Sequence, residues 1–296
     1  MTVAVLGAGV MGRTIARAYL EAGIEVYLFS RSTPTLDAAS RSIGTASEGR
    51  LQLTTSVEEA VHDAAFVLET VPEVLALKQD MLRRIECASA ATTIIGTNTS
   101  SLPLEQLARG LARPQLFAGV HWFNPAHLIP LVEVVPTKHT DAAVIERIVA
   151  SLVEIGKRPL VLQRALPGFI VNRLQYALIR EALQLIEEGV VTPEQIDLAL
   201  TDCLGLRWAL VGPMRTTDLA GISTAIAAAT ALYPTLAANT VPQQVLLTHG
   251  AQHTTFYAAD TMDEAIRARD DGLVEILALR AATRVEDDQR TSSSSR

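Results

Sequence analysis

The sequence predicts an α/β fold, in which an N-terminal doubly wound, mostly parallel sheet is followed by an all-helical half. Up to about residue 164, short apolar runs that suit buried strands alternate with stretches of helical periodicity. Beyond that point the chain is rich in Ala and Leu at helical spacing, and no strand-like run follows. With 296 residues the chain can form two domains, each with a buried core.

Apolar runs predict the strands of the first half in order, and turn or capping residues separate them. The predicted strands lie at 2–6, 24–30, 50–56, 64–71, 92–100, 115–122 and 131–135. Helices are predicted from Met11 to Gly23, from Ser56 onward, at 73–88 and at 103–109. Gly23 suits a helix end, and Ser56 with Glu59 predicts a capping box at a helix start.

The second half begins with a long helical run that starts near Pro167. Thr192 and Gln195 then predict a capping box at the start of another helix. The stretch between Pro159 and Pro167 is predicted to connect the two halves. We therefore predict a sheet domain at 1–164, a helical domain at 165–289 and a disordered, low-complexity tail at 290–296.

Charge and composition restrict the classes of partner. Acidic residues outnumber basic ones 32 to 25, so the chain offers no electrostatic reason to bind nucleic acid or an anionic membrane. No apolar run approaches the roughly 18–20 residues that span a bilayer, and no basic leader precedes the first strand. Cys87 and Cys203 lack metal-like spacing and are predicted to be reduced thiols. We expect a cytoplasmic protein.

A glycine-rich turn and a helix follow the first strand. Gly7, Gly9 and Gly12 form the pattern G-x-G-x-x-G, with Val10 and Met11 between the last two glycines. The first glycine permits the tight turn, the second lets a pyrophosphate approach the backbone, and the third lets helix and strand pack closely. These five residues are therefore predicted to bind a dinucleotide.

The segment YLFSRST, residues 27–33, lies where a dinucleotide-binding fold usually presents an acid to the cofactor ribose. Ser30 and Arg31 stand there instead, and a hydroxyl with a guanidinium suits a 2′-phosphate. NADP(H) is therefore favoured over NAD(H). The alternative is that Arg31 faces solvent and that the protein uses NAD(H) with weaker ribose contacts.

Polar residues follow the later strands, at the edge where the crevice of an α/β fold forms. His121 lies near the end of one strand and Glu133 in the next, so a histidine with a carboxylate partner is available to take an alcohol proton during hydride transfer. An unpaired acid in the apolar run LVEVV would be costly, which favours this pairing. Ser100, Asn124 and Asn172 are candidates to hold the substrate oxygen.

Structural explanations of the same residues stay open on spacing alone. A histidine at a strand end is often structural, and His127, in a proline-flanked loop, is a rival to His121. Asn98 and Asn172 also suit turn and cap positions.

Six segments together resemble the 3-hydroxyacyl-CoA dehydrogenase family over nearly the whole chain. They are GAGVMGRTIA, VPEVLALK, TNTSSL, HWFNPAHLIPLVEVV, PGFIVNRLQYALIREA and GLRWALVGP, in family order. The resemblance implies a Rossmann domain followed by a helical domain that forms a homodimer. By matching position, His121 resembles the catalytic base and Glu133 its partner, while Ser100 and Asn172 resemble contacts to the substrate oxygen.

The resemblance also implies cofactor contacts. Glu73, Lys78 and Asn98 resemble contacts to the nicotinamide side, and Asn124 is assigned to the cofactor site with them. The chain departs from the family at residues 31–50, which contain no lysine, whereas mitochondrial-type enzymes carry a lysine-rich segment there that helps to hold coenzyme A. The helical half is more similar to the branch of L-gulonate 3-dehydrogenase and λ-crystallin, with carnitine dehydrogenase nearby.

We expect an NAD(P)-dependent oxidoreductase that acts at C3 of a 3-hydroxyacyl or 3-ketoacyl thioester, bound to coenzyme A or to a carrier protein. The alternative substrate is a free 3-hydroxy acid such as L-gulonate or carnitine. An alternative of another class is a crystallin-like protein that binds the cofactor without turnover. The pairing of His121 with Glu133 argues against that last alternative.

Overall fold

The computed structural model describes residues 1–47 and 49–293. The chain comprises two compact units, Met1–Asn172 and Arg173–Arg296. The predicted domain limits at 164/165 and 289/290 stay predictions. Residues 294–296 of the predicted disordered tail lie outside the described residues.

An eight-stranded sheet forms the centre of the first unit, with the strand order β3-β2-β1-β4-β5-β6-β7-β8. The described pairs are parallel except β6 with β7, which is antiparallel, and β8 runs parallel to β7. The predicted class, a doubly wound and mostly parallel sheet followed by helices, is confirmed. The strands are β1 Thr2–Leu6, β2 Glu25–Phe29, β3 Leu51–Thr54, β4 Phe66–Glu69, β5 Ile94–Thr97, β6 Phe117–Trp122, β7 Leu131–Pro136 and β8 Arg158–Val161.

The central strands are apolar because helices cover both faces of the sheet. In β1, Val3 and Val5 belong to one core cluster, and Ala4 and Leu6 belong to the other. This alternation follows from the two-residue period of a strand. The helices of this part of the chain are α1 Val10–Glu21, α2 Thr33–Ile43, α3 Val57–Val61, α4 Leu75–Ala88, α5 Leu104–Leu107, α6 Ala142–Glu154 and α7 Val171–Glu187.

One strand was not predicted. Residues 158–161 form β8 at the edge of the sheet and overlap the stretch from Pro159 to Pro167 that the sequence predicts to connect the two halves. Pro159 weakens the strand signal in the sequence, because proline is rare inside strands. It is tolerated in an edge strand, where the N–H that it lacks need not pair with a neighbouring strand.

The two predicted capping boxes have different outcomes. Thr192 and Gln195 form a complete box at the start of α8. Ser56 does accept a hydrogen bond from the Glu59 N–H, but the Glu59 carboxylate instead accepts one from the hydroxyl of Thr54. Thr54 ends the neighbouring strand, so Glu59 joins β3 to α3.

The second unit is helical throughout its described elements. Apart from the later part of α7, these helices are α8 Pro193–Ala199, α9 Gly205–Val211, α10 Pro213–Ala220, α11 Ile222–Leu232, α12 Gln244–Gln252 and α13 Met262–Ser293, with a π-helical turn at Leu200–Leu204. Among the described residues, no helix combines the length and the apolar character needed to cross a bilayer.

Candidate active site

The turn after β1 has the geometry of an anion cradle. Gly7 has φ +126°, and a Cβ there would lie 2.8 Å from the carbonyl oxygen of Thr70. A Cβ on Gly12 would lie 1.7 Å from the carbonyl oxygen of Gly7, so only glycine allows α1 to approach β1 this closely. A Cβ on Gly9, in contrast, would meet no atom within 4 Å. Gly9 therefore faces open space at the start of the helix.

The start of α1 suits the pyrophosphate of a dinucleotide. Gly9 is the N-cap, no side chain caps the helix, and its first turn carries no acid. The backbone N–H groups and the positive end of the helix dipole are therefore available to an anion. Val10 is 53% exposed beside this opening, and Met11 is half-buried. The residues present fit the cofactor that the glycine pattern predicts.

Ser30 and Arg31 follow β2 at the same edge of the sheet. The Ser30 N–H donates to the carbonyl oxygen of Thr54 at 3.2 Å, which continues the strand pairing by one residue. The Ser30 hydroxyl oxygen accepts a hydrogen bond from the Ser32 N–H at 3.3 Å, and Arg31 is exposed. A serine hydroxyl and an exposed guanidinium therefore stand where an acid would exclude a 2′-phosphate.

His121 and Glu133 lie opposite each other across the antiparallel pair of β6 and β7. The Nδ1 of His121 is 2.8 Å from Oε2 of Glu133, and both side chains are nearly inaccessible to solvent. An ionised carboxylate can only accept, so Nδ1 carries a proton, and Nε2 carries the lone pair in the neutral imidazole. Nε2 lies 3.1 Å from the hydroxyl oxygen of Ser100. The three side chains thus form one hydrogen-bonded chain.

The second oxygen of Glu133 binds the start of α7. Oε1 accepts hydrogen bonds from the backbone N–H groups of Ile170 and Val171, at 2.9 and 3.0 Å. Burial acts to raise the pKa of Glu133, but the bonds from His121, Val171 and Ile170 outweigh it and leave the pKa below its usual value. The carboxylate is therefore ionised at neutral pH.

Aromatic rings surround the imidazole of His121. The ring centroids of Phe123 and Phe169 lie 4.6 and 5.5 Å from it, both edge-on. Phe169 has φ +47°, an uncommon value for a residue with a Cβ. It directly precedes Ile170, so the strained turn lies immediately before the N–H groups that bind Glu133.

Glu73 organises the loop that carries Ser100. Its Oε1 accepts hydrogen bonds from the Thr99 hydroxyl at 2.6 Å, from the Ser100 N–H at 2.9 Å, and from the Ser101 N–H and hydroxyl at 3.0 and 3.1 Å. Its Oε2 lies 3.5 Å from Nζ of Lys78. Burial acts to raise the pKa of Glu73, but these partners together lower it. The predicted contact of Glu73 with the cofactor stays a prediction.

Glu69 is a buried acid near the site that the sequence analysis missed. It ends β4 at 0% exposure, and Lys78, at 1%, donates to its Oε1 at 2.9 Å and to the carbonyl oxygen of Val71 at 2.9 Å. The Thr97 hydroxyl donates to Oε2 at 2.6 Å. An acid inside the apolar run AAFVLETV was the available signal, because a buried carboxylate requires partners. Lys78 therefore lies within an internal ion pair, and its predicted cofactor contact stays a prediction.

The remaining predicted residues differ in what they contact. Asn98 accepts a hydrogen bond from the Trp122 N–H at 2.8 Å, which ties β5 to the residue after His121. Asn124 is exposed in the connection between β6 and β7. Asn172 is the second residue of α7, directly after the residues bound to Glu133. The rival His127 lines a separate cavity with Glu21, rather than joining the chain of hydrogen bonds around His121.

Comparison with known families matches almost the whole chain. Residues 2–165 match the 3-hydroxyacyl-CoA dehydrogenase NAD binding domain, and residues 168–255 match the C-terminal domain of the same family. The chain belongs to the 3-hydroxyacyl-CoA dehydrogenase family. The resemblance stated from the sequence is thereby confirmed, and with it a dehydrogenase that binds a pyridine nucleotide and acts on a hydroxyl group.

Within the 3-hydroxyacyl-CoA dehydrogenase family, the chain is similar to several curated proteins. It is 40% identical to L-carnitine dehydrogenase of Streptomyces griseus over 74% of this chain and 69% of that protein. It is 34% identical to the lambda-crystallin homolog of Homo sapiens over 73% of this chain and 74% of that protein. Among solved structures, 5-formyl-3-hydroxy-2-methylpyridine 4-carboxylic acid 5-dehydrogenase, an NAD⁺-dependent dismutase, matches with a TM-score of 0.87 and 27% identity, covering 94% of this chain and 97% of that one.

The two glycines of the cradle should respond differently to substitution. Gly12→Ala forces a Cβ against the Gly7 backbone, so we expect a lower melting temperature. Gly9→Ala meets no protein atom, so we expect wild-type stability but cofactor affinity weaker by about tenfold or more, roughly 1.4 kcal/mol. Thermal melting and fluorescence titration with NADPH and NADH measure the two effects. Gly250→Ala in α12, also without a close neighbour, is the control, and full cofactor affinity in Gly9→Ala would contradict the assignment.

Glu133→Gln should destabilise the fold in a pH-dependent way. The amide has one oxygen for three donors, so we expect the free energy of unfolding at pH 7 to fall by about 1–3 kcal/mol. The folded pKa of Glu133 lies below its ordinary 4.5, so its stabilisation is complete above that value and is lost as pH falls through the folded pKa. Urea unfolding should therefore show a difference from wild type that shrinks in acid. The control is Glu146→Gln, at an exposed site on α6, which should change the free energy of unfolding by less than about 0.5 kcal/mol. A difference in unfolding free energy between Glu133→Gln and wild type that stays constant with pH would contradict the prediction.

Proposed function

We propose that this protein is an NAD(P)-dependent dehydrogenase that transfers hydride at the C3 hydroxyl of a 3-hydroxy acid, with His121 as acid and base. The observation that carries the proposal is the chain of hydrogen bonds from Ser100 through His121 to Glu133. In the neutral imidazole the lone pair of Nε2 faces the hydroxyl of Ser100, and Nδ1 is bound to a buried carboxylate. This arrangement suits proton exchange with an alcohol.

The residues divide the work as follows. Nε2 of His121 takes the hydroxyl proton of the alcohol, and in the reverse direction returns it to the ketone oxygen. Glu133 holds the imidazole in the required tautomer and stabilises the imidazolium. Ser100, with Asn172, orients the substrate oxygen through hydrogen bonds. The nicotinamide, when bound, accepts or donates the hydride.

A free 3-hydroxy acid is our first candidate for the substrate. The 40% identity to an L-carnitine dehydrogenase supports it, as does the absence of lysine from residues 31–50. The second candidate is the 3-hydroxyacyl thioester, on coenzyme A or a carrier protein, that the sequence analysis favours. The family to which both domains belong, with its name of 3-hydroxyacyl-CoA dehydrogenase, supports this candidate.

NADP(H) is our proposed cofactor, on the chemistry of Ser30 and Arg31. The exposed guanidinium supplies a permanent positive charge, and no acid lies between residues 30 and 32 to repel a 2′-phosphate. The competing proposal is NAD(H), which the structurally similar dismutase uses.

We also propose that the protein is a homodimer. The second unit exposes many large apolar side chains, among them Leu206, Leu210, Met214, Leu219, Ile222, Ile226 and Tyr233. A surface of this kind is typical of an association face. The predicted cytoplasmic location stays a prediction.

Reaction assays test the function. We expect oxidation of L-carnitine or L-gulonate to exceed reduction of acetoacetyl-CoA, and NADP(H) to exceed NAD(H) in catalytic efficiency. His121→Gln should lower kcat on the order of 10²- to 10⁴-fold while cofactor affinity is retained.

Arg31→Ala should reduce the preference for NADP(H) over NAD(H) in catalytic efficiency. Turnover of the thioester alone would favour the second substrate candidate, and efficiency equal or better with NADH would overturn the cofactor proposal. A protein that binds cofactor but turns over none of these substrates would favour the crystallin-like class.

Sedimentation equilibrium tests the dimer. We expect a mass twice the 31.8 kDa of the chain. Leu210→Asp combined with Met214→Asp should shift the mass toward the monomer, because both side chains are more than 70% exposed in the isolated chain. Val153→Asp, exposed on α6 of the first unit, is the control. A monomeric wild type would refute the proposal.

A further inference from the structure

Lys157 is one of only three lysines in the chain, and it is 7% exposed. It lies between α6 and β8, and its Nζ donates to three backbone carbonyl oxygens. The acceptors are Ala126 at 2.8 Å, Ile129 at 3.0 Å and His127 at 3.1 Å. An ammonium has three N–H donors, so each has its own acceptor.

The three acceptors belong to the connection between β6 and β7, residues 123–130, which we call the 123–130 loop. The N–H of Arg158, the residue after Lys157, donates to the carbonyl oxygen of Pro130 at 2.7 Å. Two adjacent residues thus bind four carbonyl groups of this loop. Because β6 carries His121 and β7 carries Glu133, the loop joins the two strands of the proposed acid–base pair.

Lys157 is also linked to the residues that follow His121. Its Nζ lies 5.6 Å from the ring centroid of Trp122, within the range of a cation–π contact. The backbone N–H of Trp122 donates to the side-chain oxygen of Asn98, and Phe123 contacts the imidazole of His121 edge-on. Two consecutive residues, Trp122 and Phe123, therefore connect the ammonium of Lys157 to the imidazole of His121.

We propose that Lys157 is a positioning residue for the reaction, whose ammonium holds the 123–130 loop and thereby fixes Trp122, Phe123 and His121 in place. This inference rests on the proposed function. Lys157 itself does not contact His121, so it acts through the loop. Without it, one buried and two partly buried carbonyl groups would lose this donor, and the loop would rearrange to recover hydrogen bonds.

The ammonium of Lys157 loses its proton within the pH range of ordinary assays. Burial lowers its pKa to about 8, although Glu21 on α1 acts in the opposite direction. The titratable groups that face it are Glu21, which pairs with Arg17, and His127 of the loop. Lys157, Glu21 and His127 line a cavity of about 180 Å³ together with Ile155. The cavity offers room for a larger cation and access for a small amine.

Kinetics of Lys157 variants test the positioning role. We expect Lys157→Met to lower kcat on the order of 10²-fold, as for a displaced catalytic group, with cofactor affinity unchanged. Lys157→Arg should retain more activity than Lys157→Met, because the cavity can take a guanidinium.

Added cations test the same role by chemical rescue. Ethylammonium should restore activity to Lys157→Ala, whereas tetramethylammonium, which has no N–H donor, should not. Lys138→Met, an exposed lysine, is the control. Unchanged kcat in Lys157→Met, or equal rescue by the two cations, would overturn the proposal.

Fluorescence provides a readout that does not depend on turnover. The chain has two tryptophans, so Trp208→Phe leaves Trp122 as the only indole. We expect its emission to titrate with a midpoint near pH 8, and the titration to vanish in Lys157→Met but persist in Lys138→Met. Burial raises the pKa of the adjacent Tyr19 well out of this range. Amide hydrogen exchange in the 123–130 loop should also quicken in Lys157→Met.

The two measurements separate the proposals. If the wild type turns over none of the substrates but the emission titrates and loop exchange responds to Lys157→Met, the proposed function fails while the loop-holding role stands. A titration that persists unchanged in Lys157→Met, or loop exchange equal to that of wild type, would refute the role of Lys157.

Discussion

The buried carboxylate of Glu133 is the constraint on which the rest of the site depends. It lies at 0% exposure in the middle of an apolar strand, where a charge is tolerated only with close partners. One oxygen binds the imidazole on β6, and the other binds two N–H groups at the start of α7. A single charge therefore joins two strands and a helix, and it also determines which nitrogen of His121 carries a proton.

Two other carboxylates of the first unit also have close donors, although Glu69 is buried and Glu73 is exposed. Glu69 is satisfied by Lys78 and Thr97, and Glu73 by four donors on the loop that carries Ser100. These groups lie after β4 and β5, next to the glycine cradle after β1. Charge-assisted hydrogen bonds therefore hold these polar groups at the carboxyl edge of the sheet, which favours fixed polar groups where a reaction needs them.

Lys157 is the opposite case, a buried cation instead of a buried carboxylate. Here a buried cation is satisfied by backbone carbonyl groups, and it holds a loop that has no regular secondary structure between two strands. This loop makes the reversal of strand direction between β6 and β7. Because the strands on either side carry His121 and Glu133, the conformation of that connection bears directly on the geometry of the pair.

Much of this protein follows from the sequence alone, because local patterns determine it. Hydrophobic period and glycine spacing predicted the sheet, the cofactor turn and the change to helices, and the family motifs singled out His121, Glu133 and Ser100. The edge strand β8 escaped because Pro159 obscures a strand signal, and Glu69 escaped because its partners, Lys78 and Thr97, are distant in sequence. Only the tertiary structure decided which hydrogen-bond partners each of these charges would find: Glu73 binds the Ser100 loop, Lys157 binds the 123–130 loop, and the start of α7 binds Glu133. The physical reason is that a charge removed from water is satisfied by whichever groups the fold brings within about 3 Å, and sequence separation does not limit that choice.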